Sequence, residues 1–485
     1  MSTVTVTGAA AAPDSAAAGS IVGAEPHARS GPATVLRGFA ALASGEVAAR
    51  FIAFGTTVYL ARTLGAGAYG ILGFAAAVML YLSRIPDFGM EFFGLGIREV
   101  ADDPSRVDAF APSLLVVRLL VAVVLVLALA ALVPFLPRPD GTVLLLYGLT
   151  LLAVGGGTRW VHLGLQRTRR VAVARAAGET TMALLVLALV HGRGDLVRVP
   201  LAQFAGDSLA ALVLVASLRA WGYALPVRLD WARVRPILAR ALPLVGSALL
   251  GLVIYNSDLI LLRFFRNRAS VGYYAAGYLL VSFLLNIGVA YSQSLTPALT
   301  RSPDRERLYH ESALHVALLA LPLAVGASFL APAIVTTIFG RSYAPAGIAL
   351  GILIWSIPLS LGREVATSAL VVGGGQRRIF RLTAAAAVFN LALNLAVIPR
   401  WGLEGAALAT VLTEAARAAA SLLEARAVGF TLPSPRALWR PAAAAALMGV
   451  ALLATPRLSI WLAVPAGAAT YALGLLLLGF RPASR

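Results

Sequence analysis

The sequence predicts an all-α polytopic membrane protein of about fourteen transmembrane helices, arranged as two pseudo-symmetric six-helix lobes followed by two C-terminal helices. Three observations predict it. Of the 485 residues, 59% are hydrophobic and only 13% are charged, whereas a soluble chain carries roughly a quarter charged. The apolar runs, rich in Leu, Ala and Val and without strand-like alternation, last about 20 residues, which as helix crosses a hydrocarbon core of roughly 30 Å. Segments also recur within the chain. The segment 166–222, which opens QRTRRVAVARAAGETT, resembles 376–429, with Gln166 on Gln376, Asp207 on Glu414 and Arg219 on Arg426; likewise the stretch around Arg62 matches that around Arg266, with Tyr69 on Tyr273. Six helices separate the copies. That even number makes the halves parallel repeats about an axis along the membrane normal.

Residues 1–33 are mostly Ala, Gly, Ser, Thr and Pro, without a charged stretch leading into an apolar core, so they read as a disordered cytoplasmic tail and not as a signal peptide. The predicted spans are 37–61, 69–93, 111–135, 142–164, 171–191 and 199–218 in an N-terminal lobe, 34–218. After a cytoplasmic linker, 219–237, come 238–262, 271–297, 311–338, 345–371, 379–398 and 403–425 in a C-terminal lobe, 238–428. The additional pair, 439–455 and 459–479, lies in 429–485. Pro86, Pro243, Pro322 and Pro358 fall within spans, where neighbouring helices can re-satisfy freed carbonyls.

All 40 basic residues are arginine, and the net charge is +18. Most sit in short segments between apolar runs, where positive charge sets topology instead of reading nucleic acid. With the N-terminus inside, roughly 23 arginines fall in inner segments against about 10 in outer loops, so both termini are expected in the cytoplasm. The loop holding Arg263, Arg266 and Arg268 runs against that pattern. The absence of cysteine excludes disulfides and thiolate metal sites. No phosphate-binding GxxxxGK[ST] loop is present, so the chain is not an ATP-driven pump on its own. The five histidines are dispersed, and neither metal nor cofactor is expected.

Ionisable residues inside spans are costly and must face protein or a wet cavity. Glu46 and Arg50 share one face of the first helix; Arg118, Arg159, Asp207, Asp258 and Glu414 lie deep in others. Two readings stand. The acids and arginines could pair, as Glu46–Arg50, Arg175–Glu179 and Glu414–Arg417, and lock packing. Alternatively Arg50, Arg118 and Arg159, with Glu46, line a cationic cavity for an anionic, phosphorylated cargo, since arginine recognises phosphate bidentately. Asp258, with Asp207 and Glu414, is the candidate for coupling to a proton or sodium ion; a hydrogen-bonded structural Asp258 is the other reading. Asn390 and Asn394, one turn apart, are expected to hydrogen-bond across helices as structural polar residues.

Three stretches then resemble a known family: YLARTLGAGAYGILGF (59–74), DLILLRFFRNRASVGYYAAGYLL (258–280) and FNLALNLAVIPRWGLEGAALAT (389–410). The chain resembles, over about 35–430, the oligosaccharide-lipid flippases of bacterial polysaccharide biosynthesis, the O-antigen branch of the multidrug/oligosaccharidyl-lipid/polysaccharide exporter superfamily. The resemblance implies a monomeric carrier in the bacterial cytoplasmic (inner) membrane. Its cargo would be polyprenyl-diphosphate-linked oligosaccharide for cell-surface polysaccharide, lipopolysaccharide included, moved from the cytoplasmic to the outer leaflet by alternating access. Arg50 occupies a place in the first helix where family members commonly carry a basic residue. A multidrug antiporter of the same superfamily is the alternative. A polytopic glycosyltransferase or polymerase fits less well, because the first outer loop, 63–68, lacks acids.

Overall fold

A computed structural model describes residues 32–480 except 105, 106, 224 and 457. The N-terminal tail, and the side chain of Glu46 with it, lie outside the described residues. The helices are α1 (Pro32–Leu82), α2 (Arg84–Asp87), α3 (Leu95–Asp102), α4 (Val107–Leu132), α5 (Asp140–Gly148), α6 (Thr150–Gly156), α7 (Arg159–Gly164), α8 (Thr168–Leu189), α9 (Arg198–Ala220), α10 (Trp231–Phe265), α11 (Arg268–Arg301), α12 (Arg305–Phe339), α13 (Ala346–Leu353), α14 (Ser356–Val372), α15 (Gln376–Arg426), α16 (Pro435–Ala454) and α17 (Ile460–Leu477).

Two of these are each 51 residues long, roughly 75 Å at helical rise and far beyond one bilayer. Each is broken by a glycine in a backbone conformation that side chains rarely adopt: Gly65 at φ 75° and Gly402 at φ 58°. The first leg of α1 brings Phe51 and Phe54 against Phe283 of α11. The second leg brings Gly70 against the backbone of Arg268, at the start of the same helix, so the legs run in opposite senses along α11. In α15, Arg378 of the first leg pairs with Glu424 near the end of the second. With both helices counted as two legs, and α5–α7 and α13–α14 each as one broken crossing, the fourteen expected passages are present. The architecture is two six-helix lobes plus a C-terminal helix pair.

Small residues set the packing. Within the first lobe a Cβ on Gly178 of α8 would lie 2.7 Å from the carbonyl of Gly206 in α9, and one on Gly206 would lie 2.5 Å from that of Gly178, so only glycine lets these helices touch. The pair α16–α17 docks on α12, where Met448 and Gly449 meet Gly326 and Phe329 and Tyr471 Oη donates to the Leu318 carbonyl at 2.9 Å. Its other face, with Leu447, Val450, Trp461 and Leu476, is exposed apolar surface suited to lipid. One apolar core runs from α1 (Ala61, Tyr69, Phe74) into the second lobe (Tyr274, Leu350, Ile357), so α1 binds the lobes together.

The arginines that spoil the charge asymmetry have local partners. Arg266 donates to the carbonyls of Ile398 and Pro399, Arg62 to those of Thr337 and Ile338, and Arg198 to that of Leu189. Each satisfies carbonyls left orphaned at the end of a helix. Arg263 and Arg268 both bind Asp140. Their placement answers to the ends of helices, not to topology.

Candidate functional site

A polar cavity of about 510 Å³ lies inside the first lobe. It is walled by the turn after α1 (Ser83, Arg84, Asp87, Glu91, Phe92), by Arg118 of α4, by the broken crossing α6–α7 (Val154, Gly157, Arg159), and by Arg175 and Asp207 of α8 and α9. Its wall is assembled by a departure from helix. Phe88, Gly89 and Gly94 all have positive φ, folding residues 83–94 into a tight turn whose N–H groups at Glu91 and Phe92 donate to Asp87, each at 3.3 Å. Asp87 is therefore buried and does not reach toward the headgroups. Across the cavity, α6 ends at Gly156 and α7 begins at Arg159, which leaves carbonyls without helical partners.

Arg118 fills that gap. Its Nε donates to the Pro86 carbonyl at 2.8 Å, Nη1 to Gly157 at 2.9 Å and Nη2 to Val154 at 2.8 Å, with Asp87 at 3.8 Å. All three nitrogens are engaged, and only 2% of the residue is exposed. The guanidinium completes the hydrogen bonding of a broken helix. Arg159 behaves differently. It pairs with Glu91, yet its Nε is buried with no acceptor among the described residues, as is the Nε of Arg84. Arg84 lies over the ring of Phe92, 4.2 Å from its centroid. Arg175 is exposed and pairs with Glu179 at 2.7 Å. Asp207 accepts from Gln203 Nε2 at 3.1 Å. The lining thus counts four arginines against three acids, a smaller positive excess than the sequence suggests.

The structure brings Arg118, Arg159 and Asp207 to one cavity. Arg50 is exposed on α1 and does not line it. The other named acids lie in the second lobe. Glu414 is the centre of a buried cluster: Ser360 Oγ donates to its Oε2 at 2.7 Å, Arg363 Nε to the same oxygen at 3.1 Å, and Arg417 binds Oε1. Asp258 is 1% exposed and accepts from Tyr274 Oη, from Thr410 Oγ1 at 3.3 Å and from the Leu259 N–H at 2.8 Å. No arginine pairs with it among the described residues. Beside it, Asn394 Nδ2 donates to Asn390 Oδ1 at 2.9 Å, Ser257 Oγ to the same oxygen at 3.2 Å, and Asn390 Nδ2 to Thr413 at 3.1 Å. The two asparagines do cross-link α10 and both legs of α15. Sequence reasoning did not select Arg84, Phe92 or Arg363 for a site. For Arg363 a signal existed: it lies 204 residues after Arg159 (363 − 159), the offset that relates Tyr69 to Tyr273. Arg84 and Phe92 depend on the irregular turn, which carries no periodic signature. Among the described residues no group of three or more His, Cys, Asp or Glu could hold a metal ion.

A family model described as Polysaccharide biosynthesis protein matches residues 35–302. The chain is similar to the probable flippase AglR of Haloferax volcanii, with 27% identity over 469 residues, 89% of this chain and 93% of that protein. Among solved structures it is similar to the lipid II flippase MurJ in an inward closed conformation, with a TM-score of 0.77 at 12% identity over 90% of this chain and 98% of MurJ. An inward-facing multidrug resistance MATE family transporter of the MOP superfamily aligns with a TM-score of 0.63 at 13% identity, over 78% and 94% of the two chains. At such identities the structural likeness is one of fold.

Proposed function

Since the chain belongs to the polysaccharide biosynthesis protein family, we propose that it is a flippase for a lipid-linked sugar, working by alternating access of its two lobes. The cargo is polyprenyl-diphosphate-linked oligosaccharide, carried from the cytoplasmic to the outer leaflet of the bacterial inner membrane by a monomer with both termini inside. In this topology the Gly65 and Gly402 turns face outward, and the cavity of the first lobe lies toward the cytoplasm, where the cargo is made.

One observation carries the cargo reading. Two arginines on one cavity, Arg84 and Arg159, each keep a buried Nε–H without an acceptor among the described residues. Buried donors left unmet are costly, and a cargo phosphate entering the cavity would offer each guanidinium an acceptor once its side chain turns toward it. Arg50, outside the cavity, belongs on the path by which the cargo reaches it. Asp258, a buried acid surrounded by hydroxyl and N–H donors instead of arginine, is the group proposed to couple transport to a proton or sodium ion; Glu414 stands second because Arg363 and Arg417 neutralise it, and Asp207 because it lines the arginine-bearing cavity.

The test is flipping of a fluorescent polyprenyl-diphosphate-linked sugar in proteoliposomes. Arg159→Ala and Arg84→Ala are expected to slow it about tenfold or more at normal protein levels, the loss of about one charge-assisted hydrogen bond. Wild-type rates in both variants, or efflux of a cationic dye with no flipping, would replace this reading with the antiporter alternative.

A further inference from the structure

Alternating access needs an end that stays shut until the cargo has been taken up. At the Gly65 end one carboxylate of the first lobe holds two guanidinium groups of the second. Asp140, the first residue of α5, has a side chain only 2% exposed; Arg263 Nε lies 2.6 Å from its Oδ1 and Arg268 Nη2 lies 2.5 Å from its Oδ2. Arg268 also donates to the Arg138 carbonyl at 2.8 Å. Directly beneath, α1 and α11 cross backbone to backbone. A Cβ on Gly70 would lie 1.9 Å from the carbonyl oxygen of Arg268, and one on Gly272 would lie 2.0 Å from that of Ala66. No side chain of any size fits at this crossing, so its closure depends on both glycines.

At the opposite end an apolar core joins Val234, Ile237 and Ala241 of α10 to Phe110, Leu114 and Trp160, but the ion pair is more open to water. There Arg240 Nη2 and Glu99 pair at 2.8 Å with side chains 55% and 27% exposed, and the Asp230 N–H donates to Ser113 Oγ at 2.9 Å. Ion pairs open to water are screened and weak, whereas charges enclosed in protein attract strongly and cannot lose one partner cheaply. We infer that Asp140, Arg263 and Arg268, seated on the Gly70–Gly272 crossing, are the latch that keeps the Gly65 end shut in the resting carrier and parts to release the cargo. Without the carboxylate, two arginines of the second lobe lose the counter-charge that the first lobe supplies, and the closed state loses the ion pairs that join the lobes at this end. The inference rests on the alternating-access reading but not on the identity of the cargo.

The chain has no cysteine, so a single reporter thiol can be read without background. Ala275 faces Gly73 across the lobe boundary, about 10 Å below Arg268 along the helix. In proteoliposomes of the Ala275→Cys protein, a membrane-impermeant maleimide added from the Gly65 side should react slowly. Adding Asp140→Asn should raise that rate about tenfold or more, a shift of roughly 1.4 kcal/mol in the closed–open equilibrium. Gly70→Ala should raise it without altering any charge, and Glu99→Gln should not raise it. The neutral triple variant Asp140→Asn, Arg263→Gln, Arg268→Gln gives the same comparison where the single variant does not accumulate. An unchanged rate in folded Asp140→Asn protein would overturn the latch, as would an equal rise in Glu99→Gln. A thiol that responds as expected in a protein that flips no lipid-linked sugar would leave the latch standing and remove the cargo reading instead.

Discussion

Replacing Arg118 by lysine separates a structural arginine from one that binds cargo. In the wild type the guanidinium serves three carbonyls, those of Pro86, Val154 and Gly157, at 2.8–2.9 Å. Lysine keeps the charge but, as a compact ammonium on a flexible stem, cannot span three acceptors fixed by a planar fork. We expect it to hold one of them. The loss of two hydrogen bonds from a charged donor costs about 3–6 kcal/mol on the soluble scale and about 1–3 kcal/mol on the scale measured between membrane helices. Arg118→Ala leaves all three carbonyls unmet and opens a cavity as well, so it should fail to accumulate. The assay is thermal unfolding of the detergent-purified protein alongside flipping in proteoliposomes. A structural Arg118 requires that Arg118→Lys lower the melting temperature by several degrees, with flipping falling only as far as folded protein does. Full thermal stability in Arg118→Lys together with lost transport would refute the reasoning and return Arg118 to the cargo.

Other perturbations probe contacts elsewhere in the two lobes. Gly178→Ala or Gly206→Ala sets a Cβ against a backbone carbonyl at 2.7 or 2.5 Å and should cost about 1–3 kcal/mol, seen as a lower melting temperature. Glu414→Gln takes from Arg363 and Arg417 the buried carboxylate they share, although Arg363 keeps Glu364 at 2.9 Å, and should destabilise by about 1–3 kcal/mol; Glu414→Gln with Arg363→Gln should recover part of that loss in the same measurement. Asp195, in the turn after α8, has its carboxyl held below the usual range, chiefly by the His191 N–H, with help from Arg198 and the Gly192 N–H. A carboxylate lowered on folding stabilises above its unfolded pKa, and that stabilisation is lost as pH falls through the folded value. Protection of the His191 and Gly192 amides, the exchange rate relative to its intrinsic value at each pH, should therefore fall below about pH 4 in the wild type and lose that pH step in Asp195→Ala. Asp258→Asn should accumulate normally, because the amide oxygen can keep the Leu259 N–H while the amide NH2 donates to the Tyr274 and Thr410 hydroxyls, which can accept as well as donate, while flipping loses its dependence on sodium or proton gradients.

The chain's own pattern determined a good deal. Apolar runs long enough to span a bilayer fix the number of crossings, because backbone polar groups in lipid have no answer but helix. The repeat offset marked out the two lobes. Asn390 and Asn394, one turn apart among apolar residues, had to find polar partners in neighbouring helices, and they do so in Ser257 and Thr413. Arg118 and Arg159 looked alike in the sequence, each a lone cation deep in a span. Only the tertiary structure separates them, because what distinguishes them is the broken crossing after Gly156, whose freed carbonyls consume one guanidinium and leave the other with a donor to spare. Nothing in the sequence sets Asp140 apart from any other acid between two spans. It became a buried clamp only when α10 and α11 of the other lobe delivered two arginines to it. Periodicity records which face of a helix is apolar. It does not record which carbonyls a break sets free, or which charges two distant segments bring within reach, and those are decided by how the lobes pack.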